Sequence, residues 1–169
     1  MLYPWISLVV LVSAILFIPK RLTLKENVLV FLSVGYIVWN GHVVVGIMLD
    51  LYDFGPSGKV GFLDWLFVNL APAITALLYL NLKSDKNLLY ALTWAILSFL
   101  YEWGLVQSGF MKNHGWKTWY SIPVYVMGYL FLPWFLHNVI RKSVGDNQRK
   151  SFSYKFDSIK RFRFKEKAR

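Results

Sequence analysis

The chain contains no cysteine. That absence excludes disulfides, thiolate metal sites and cysteine nucleophiles together, and leaves the compartment undetermined. Acidic residues are scarce, with nine Asp and Glu against nineteen Lys and Arg. No H-E-x-x-H helix, paired-carboxylate motif or Gly-rich phosphate loop occurs, so the common hydrolase and nucleotide-binding chemistries lack their carriers, and no cofactor or metal is expected. Internal repeats and linkers long enough to divide domains are missing as well. What remains is largely apolar: hydrophobic residues make up 56% of the 169 positions and aromatics 18%, above the composition of ordinary soluble domains.

The apolar residues are gathered into five runs, roughly Leu2 to Ile18, Val28 to Leu49, Phe62 to Leu82, Leu88 to Val106 and Ile122 to Ile140. Crossing a ~30 Å hydrocarbon core takes about 17–25 predominantly apolar residues, and each run falls in that window. These segments largely lack the polar face that a helix of a soluble domain presents to water. The expected fold is therefore an all-α membrane protein, a bundle of five transmembrane helices. Residues 1–140 form the five-span bundle and residues 141–169 a basic, aromatic tail.

The first run resembles a signal peptide only in length. Met1 to Ser7 carries no basic residue and no small-residue cleavage site precedes Pro19, so the segment is expected to stay as the first span. Basic residues beside short loops mark the cytoplasmic side. With the N-terminus outside, Lys20, Arg21, Lys25, Lys83, Lys86 and the eleven basic residues after Ile140 lie inside, against Lys59, Lys112 and Lys117 outside. Sixteen against three predicts an external N-terminus and a cytoplasmic C-terminus, a contrast that shrinks to five against three without the tail. The location is a cell membrane, crossed several times.

The net charge of +10 thus belongs mostly to the tail and not to a folded basic face. Arg161, Phe162, Arg163, Phe164 and Lys165 alternate charge with aromatic rings. Basic residues near an anionic leaflet contribute about 1 kcal/mol each, and interleaved phenylalanines suit insertion at headgroup depth. Anionic lipids are the expected partner of this segment. The same composition also suits single-stranded nucleic acid, which is not expected here, and a tail without any ligand remains the plain alternative.

Ionisable groups within spans are costly and are functional candidates by default. Glu102 lies roughly 20 Å from the inner start of the fourth span at 1.5 Å per residue, and His42 reaches about the same depth in the second. Asn69 lies roughly 10 Å in from the outer start of the third. These three place polar groups in one layer of the outer half, with Asp64 just above and Asp50, Asp53, Gln107 and His114 near the external mouth. His42, Gly46 and Asp50 share one face of the second span by i, i+4 spacing, and Gly46 offers close approach there. Trp94, Ser98, Tyr101 and Glu102 share a face of the fourth.

A carboxylate with a histidine is the minimum for proton transfer, and His42, Glu102, Asp64 and His114 are also of a type to suit a divalent cation. The plain alternative is that Glu102 and His42 pair with polar neighbours and lock helix packing. Trp116 and Trp119 precede the fifth span, where an interfacial aromatic belt accounts for them without function. Two function classes follow. One is a non-enzymatic membrane protein whose outer polar layer, Glu102, His42, Asn69, Asp64, His114, Trp116 and Trp119, binds a lipid headgroup, small ligand or partner. The other is a small intramembrane enzyme or a proton- or metal-handling transporter using Glu102 and His42. Five spans without internal symmetry are few for an inverted-repeat transporter, although an oligomer could complete a pathway.

Glu102, Gly109 and the run Gly115-Trp116-Lys117-Thr118-Trp119-Tyr120-Ser121, together with Asn69, Pro72-Ala73 and Leu78-Tyr79-Leu80, are similar to a pattern in an uncharacterised family of small multi-pass membrane proteins from Bacillus and related spore-forming bacteria. Members carry a membrane glutamate followed, after a glycine-containing loop, by G-W-x-x-W-x-S and a last span. The likeness covers about Phe62 to Ile140; the long basic tail departs from it. It implies the plasma membrane of a Gram-positive bacterium and implies no activity.

Overall fold

A computed structural model of the chain describes residues 2–55, 61–82 and 88–144, with the side chains of Asp64, Ser143 and Val144 outside that description. The residues expected to form the basic tail, from 145 onward, also lie outside it. The described chain is mostly helical. Helix α1 is Leu2–Phe17, α2 Leu24–His42, α3 Phe62–Leu82, α4 Leu88–Gln107 and α5 Ser121–Phe135. Two of them run on without a break: α2 into a π-helical turn, Val43–Met48, and α5 through another, Leu136–Ile140, into the short helix α6, Arg141–Val144.

Four helical segments are long and apolar enough to cross a membrane: Leu24–Met48, Trp65–Leu82, Leu88–Gln107 and Thr118–Ile140. The sequence predicts five. α1 has 16 residues, which at 1.5 Å each come to about 24 Å, shorter than a ~30 Å hydrocarbon core. Pro19 and the charged Lys20 and Arg21 follow Phe17 closely and end the helix early. The all-α expectation also misses a small antiparallel ribbon. Strand β1, Tyr52–Phe54, pairs with β2, Met111–Asn113, in the register Tyr52↔Asn113, Asp53↔Lys112, Phe54↔Met111. The ribbon ties the connection after α2 to the connection after α4, so both lie at one end of the bundle.

Local chemistry accounts for the helix limits. Thr23 caps α2: its hydroxyl accepts from the Glu26 N–H at 3.2 Å, and Glu26 Oε2 accepts from the Thr23 N–H at 2.7 Å. This reciprocal box satisfies two of the orphan donors of the first turn. Gly55 and Gly109 take positive φ, 76° and 71°, to turn the chain on either side of the ribbon, a conformation open to glycine at little cost. α3 is the most enclosed of the four long segments. Its buried Ala71, Ala73 and Ala76 let neighbouring backbones come close, as small residues do between membrane helices.

α2 packs along α3 and α5 along α4, while α1 lies against α3 and α4. α2 and α5 do not pack along their lengths; α2 instead meets the π-helical end of α5 and α6. Two apolar clusters hold the bundle. One, nearer the ribbon, contains Leu8, Phe67, Leu105, Phe110 and Met111. The other, toward the opposite end, contains Val30, Leu77, Tyr79, Ala91, Tyr129 and Leu136 among others.

That far end is fastened by polar groups. Asn81, fully buried, accepts at Oδ1 from the N–H groups of Arg21 and Leu22, at 3.0 and 3.1 Å, and donates from Nδ2 to Asn27 Oδ1 and the Leu77 carbonyl. Arg141 Nε donates to Glu26 Oε1 at 2.9 Å, joining the end of α5 to the start of α2.

Candidate functional site

Glu102 projects from α4 toward α5 and is 6% exposed. Its Oε1 accepts from the Ser121 hydroxyl at 2.8 Å and its Oε2 from the Tyr125 hydroxyl at 2.5 Å. Ser121 and Tyr125 are one turn apart on α5, so a single helix face supplies both donors. Ser121 Oγ in turn accepts from the Trp116 indole N–H at 3.0 Å. The indole is placed by its backbone, since the Leu51 carbonyl accepts from the N–H groups of His114, Gly115 and Trp116 at 2.9 to 3.1 Å. A chain of hydrogen bonds therefore runs from the loop before α5 through Ser121 to the carboxylate.

His42 reaches the same region from α2 and is 4% exposed. Its Nδ1 lies 3.4 Å from the Tyr52 hydroxyl, and its ring lies 5.5 Å, between centroids, from Trp39, Tyr52 and Phe54. The ring fits because Gly46, one turn on, has no side chain: a methyl there would lie 2.7 Å from His42 Nδ1. The α-to-π transition falls directly after His42, and such wide turns re-aim the side chains around them. Tyr52 stands on the ribbon between the two ionisable groups. Burial, and after it the Glu102 charge, push its phenol up to about 12, so Tyr52 keeps its proton throughout the physiological range.

These groups form one end of a cavity of about 500 Å³, within the ~300–1,000 Å³ range of small-molecule pockets. The cavity lies between the two apolar clusters and takes lining residues from both, such as Phe67 and Met111 from one and Ala76 and Leu132 from the other. His42, Tyr52, Glu102, Trp116, Ser121 and Tyr125 lie at the ribbon end, and the walls beyond them are almost wholly apolar. Ser98 and Tyr129, deeper in, are bonded to each other at 2.6 Å. Ile37 of α2 and Val124 and Phe131 of α5 line the cavity yet are 54%, 51% and 46% exposed. They are the rim of a lateral mouth where α2 and α5 fail to meet.

Of the residues expected to form the polar layer, the structure brings His42, Glu102 and Trp116 to the cavity. Asn69 does not line it: its amide donates to the Trp65 carbonyl at 2.7 Å, and its Oδ1 would lie 3.4 Å from a methyl placed at Gly35, so it faces α2. Its contact with α2 falls at Gly35, two turns before His42, and rotation about the helix turns it away from the cavity. His114 sits on the outer side of the ribbon, paired with Asp53 at 2.9 Å and half-exposed. Trp119 is 57% exposed and packs on Tyr120. The side chain of Asp64 is outside the described residues. The cation site considered from His42, Glu102, Asp64 and His114 does not assemble among the described residues. The group there with ligand atoms within 4.8 Å of one another is Asp50, Asp53 and His114, at the surface.

Sequence reasoning overlooked Tyr52, Ser121 and Tyr125. Ser121 closes the G-W-x-x-W-x-S run, and Tyr125 follows it at i+4, so that spacing held the signal. Tyr52 had none, because the ribbon that brings it over the cavity is a long-range pairing. Comparison of the chain with protein-family models, curated proteins and solved structures finds no match.

Proposed function

We propose that this chain is a multi-pass protein of the cell membrane that binds one amphiphilic molecule, its head at Glu102, His42 and Tyr52 and its apolar part in the cavity open between α2 and α5. The observation that carries this reading is the cavity itself, an apolar space with hydrogen-bonding groups gathered at one end and a mouth on the side of the bundle. A mouth of that kind, facing lipid, admits a lipid-like ligand directly from the bilayer. Membrane residence is supported by the outward faces of the helices, where Val9, Leu16, Leu32, Ile96, Leu130 and many other large apolar side chains are exposed. Soluble monomers rarely expose apolar patches beyond a few hundred Å².

α1 belongs to the membrane part in this reading. It starts beside Tyr101 and Phe67 at the ribbon end and leads into Leu22 at the opposite end, so it runs the height of the bundle. A short hydrophobic stretch is accommodated by local thinning of the bilayer at modest cost. The N-terminus and the ribbon lie outside and the C-terminus inside, as the distribution of basic residues favours. The resemblance of the α4–α5 region to the Bacillus membrane family supports a bacterial plasma membrane. Non-enzymatic binding is preferred because both oxygens of Glu102 are held by donors of the protein itself.

Gly128 provides the test. It lines the cavity, and a methyl at its position meets nothing within 4 Å, so Gly128→Leu is the substitution expected to narrow the space. Mass spectrometry of lipid extracts from the purified protein is expected to find an amphiphile in near-equal amount with the wild-type chain and at least tenfold less with Gly128→Leu. Equal retention by both, or none by either, overturns the reading.

A further inference from the structure

The chemistry of the head can be narrowed from what surrounds it. Among the described residues that line the cavity, Glu102 carries the acidic group and there is no lysine or arginine. Three donors nearest Glu102 are already directed: Ser121 and Tyr125 give their protons to Glu102, and the Trp116 N–H goes to Ser121. An anionic head entering here would meet the Glu102 carboxylate with the His42 imidazole, and no lysine or arginine, among the described lining residues to offset it, and like charges brought together in a poorly solvated site repel strongly. Glu102 itself has capacity left. Each of its oxygens accepts one bond from the protein, whereas a carboxylate offers about four lone-pair positions in all. A hydrogen-bond donor is the group that completes it.

We propose that the cavity selects amphiphiles with a single apolar chain and a non-anionic, hydrogen-bond-donating head, an amine or an alcohol, and rejects phosphate and carboxylate heads. The inference rests on the cavity being a binding site, as proposed above. In it, the head donates to Glu102, and the chain lies between α2 and α5 and leaves through the mouth rimmed by Ile37, Val124 and Phe131. Charge elsewhere on the protein works in the opposite direction, because a net charge of +10 draws anions to the surface without specificity. A preference for amines would therefore be the property of the cavity and not of the whole chain.

Native mass spectrometry of the full chain in detergent, with probes of one chain length, tests this. Dodecylamine is expected to bind at one equivalent and at least tenfold more tightly than dodecyl phosphate, with dodecanol between them. In Glu102→Gln, which keeps the side chain's shape, amine and phosphate should come within about threefold of each other, and Gly128→Leu should weaken all three probes. Phosphate binding as tightly as amine to the wild-type chain overturns the head assignment while leaving the cavity reading intact. Binding of no probe by the wild-type chain, or undiminished binding by Gly128→Leu, overturns the cavity reading itself. The wild-type ordering decides the head assignment even if Glu102→Gln fails to fold.

Discussion

Gly46 sits one turn beyond His42, where a methyl group would lie 2.7 Å from His42 Nδ1 and 3.2 Å from a ring carbon of Tyr52. The glycine is there for space, since its backbone continues the helix. Overfilling a packed site usually costs about 1–3 kcal/mol, so Gly46→Ala should lower the thermal midpoint of the purified protein and push the imidazole away from Tyr52. Gly41, five residues earlier on the same helix, is the control. A methyl there meets nothing within 4 Å, and Gly41→Ala should be neutral or stabilising by up to about 1 kcal/mol, the helix-propensity difference. Thermal unfolding followed by circular dichroism in detergent measures both, and equal effects would refute the space-filling account of Gly46. Glu102 presents the complementary case, a costly group kept in place by Ser121 and Tyr125, whose removal would leave a buried polar atom unpaired.

At the level of elements, the ends of the bundle differ in how they are closed. The ribbon end is roofed by a short two-stranded pairing. The other end is locked by side chains, with Asn81 holding the connection between α1 and α2 and the Glu26–Arg141 pair joining α2 to α5. Glu26 is almost fully buried, while about a quarter of Arg141 remains accessible. Arg141→Ala strands the Glu26 charge but leaves its bond to the Thr23 N–H, and should cost about 1–3 kcal/mol. Glu26→Ala removes the ion pair and half of the capping box together but strands no buried carboxylate, since Arg141 is a quarter accessible, and should cost about 0.5–2 kcal/mol. The expected order of thermal midpoints is wild type, Glu26→Ala, Arg141→Ala; the reverse order for the two variants would show that losing the cap outweighs stranding the Glu26 charge. Because α2 meets α5 chiefly toward this latched end, loosening it should also widen the gap between them.

For the whole molecule, orientation is the property on which the location of the cavity depends. Single cysteines can be placed anywhere without interference, because the chain has none. With the N-terminus outside, Ser57→Cys between α2 and α3 should react with an impermeant maleimide on intact cells, and Ser84→Cys between α3 and α4 only after permeabilisation. The opposite pattern would invert the topology and move the head site to the cytoplasmic half. The large exposed apolar surface and the cavity go with one feature: α3 is enclosed on most of its circumference, whereas α5 packs mainly on α4, less on α3, and not along α2. A helix left open toward one neighbour leaves room beside it.

The apolar segments and their approximate limits are written locally along the chain, and they determined the mostly helical architecture directly, with four segments long and apolar enough to cross a membrane. Leu88–Gln107 and Phe62–Leu82 nearly coincide with their predicted runs for that reason. That Glu102 and His42 come to one region was also legible, since rise per residue is constant in a helix, and both line the same cavity. Rotation was not. Asn69, expected in one layer with Glu102, faces α2 at Gly35, because the direction of a side chain about its axis depends on which neighbour the helix packs against. Nor could the sequence reveal that Tyr52 lies over the cavity, or that Arg141 meets Glu26 across more than a hundred residues. Those contacts, and the gap between α2 and α5 that makes the cavity, come from long-range packing, and only the tertiary structure decided them.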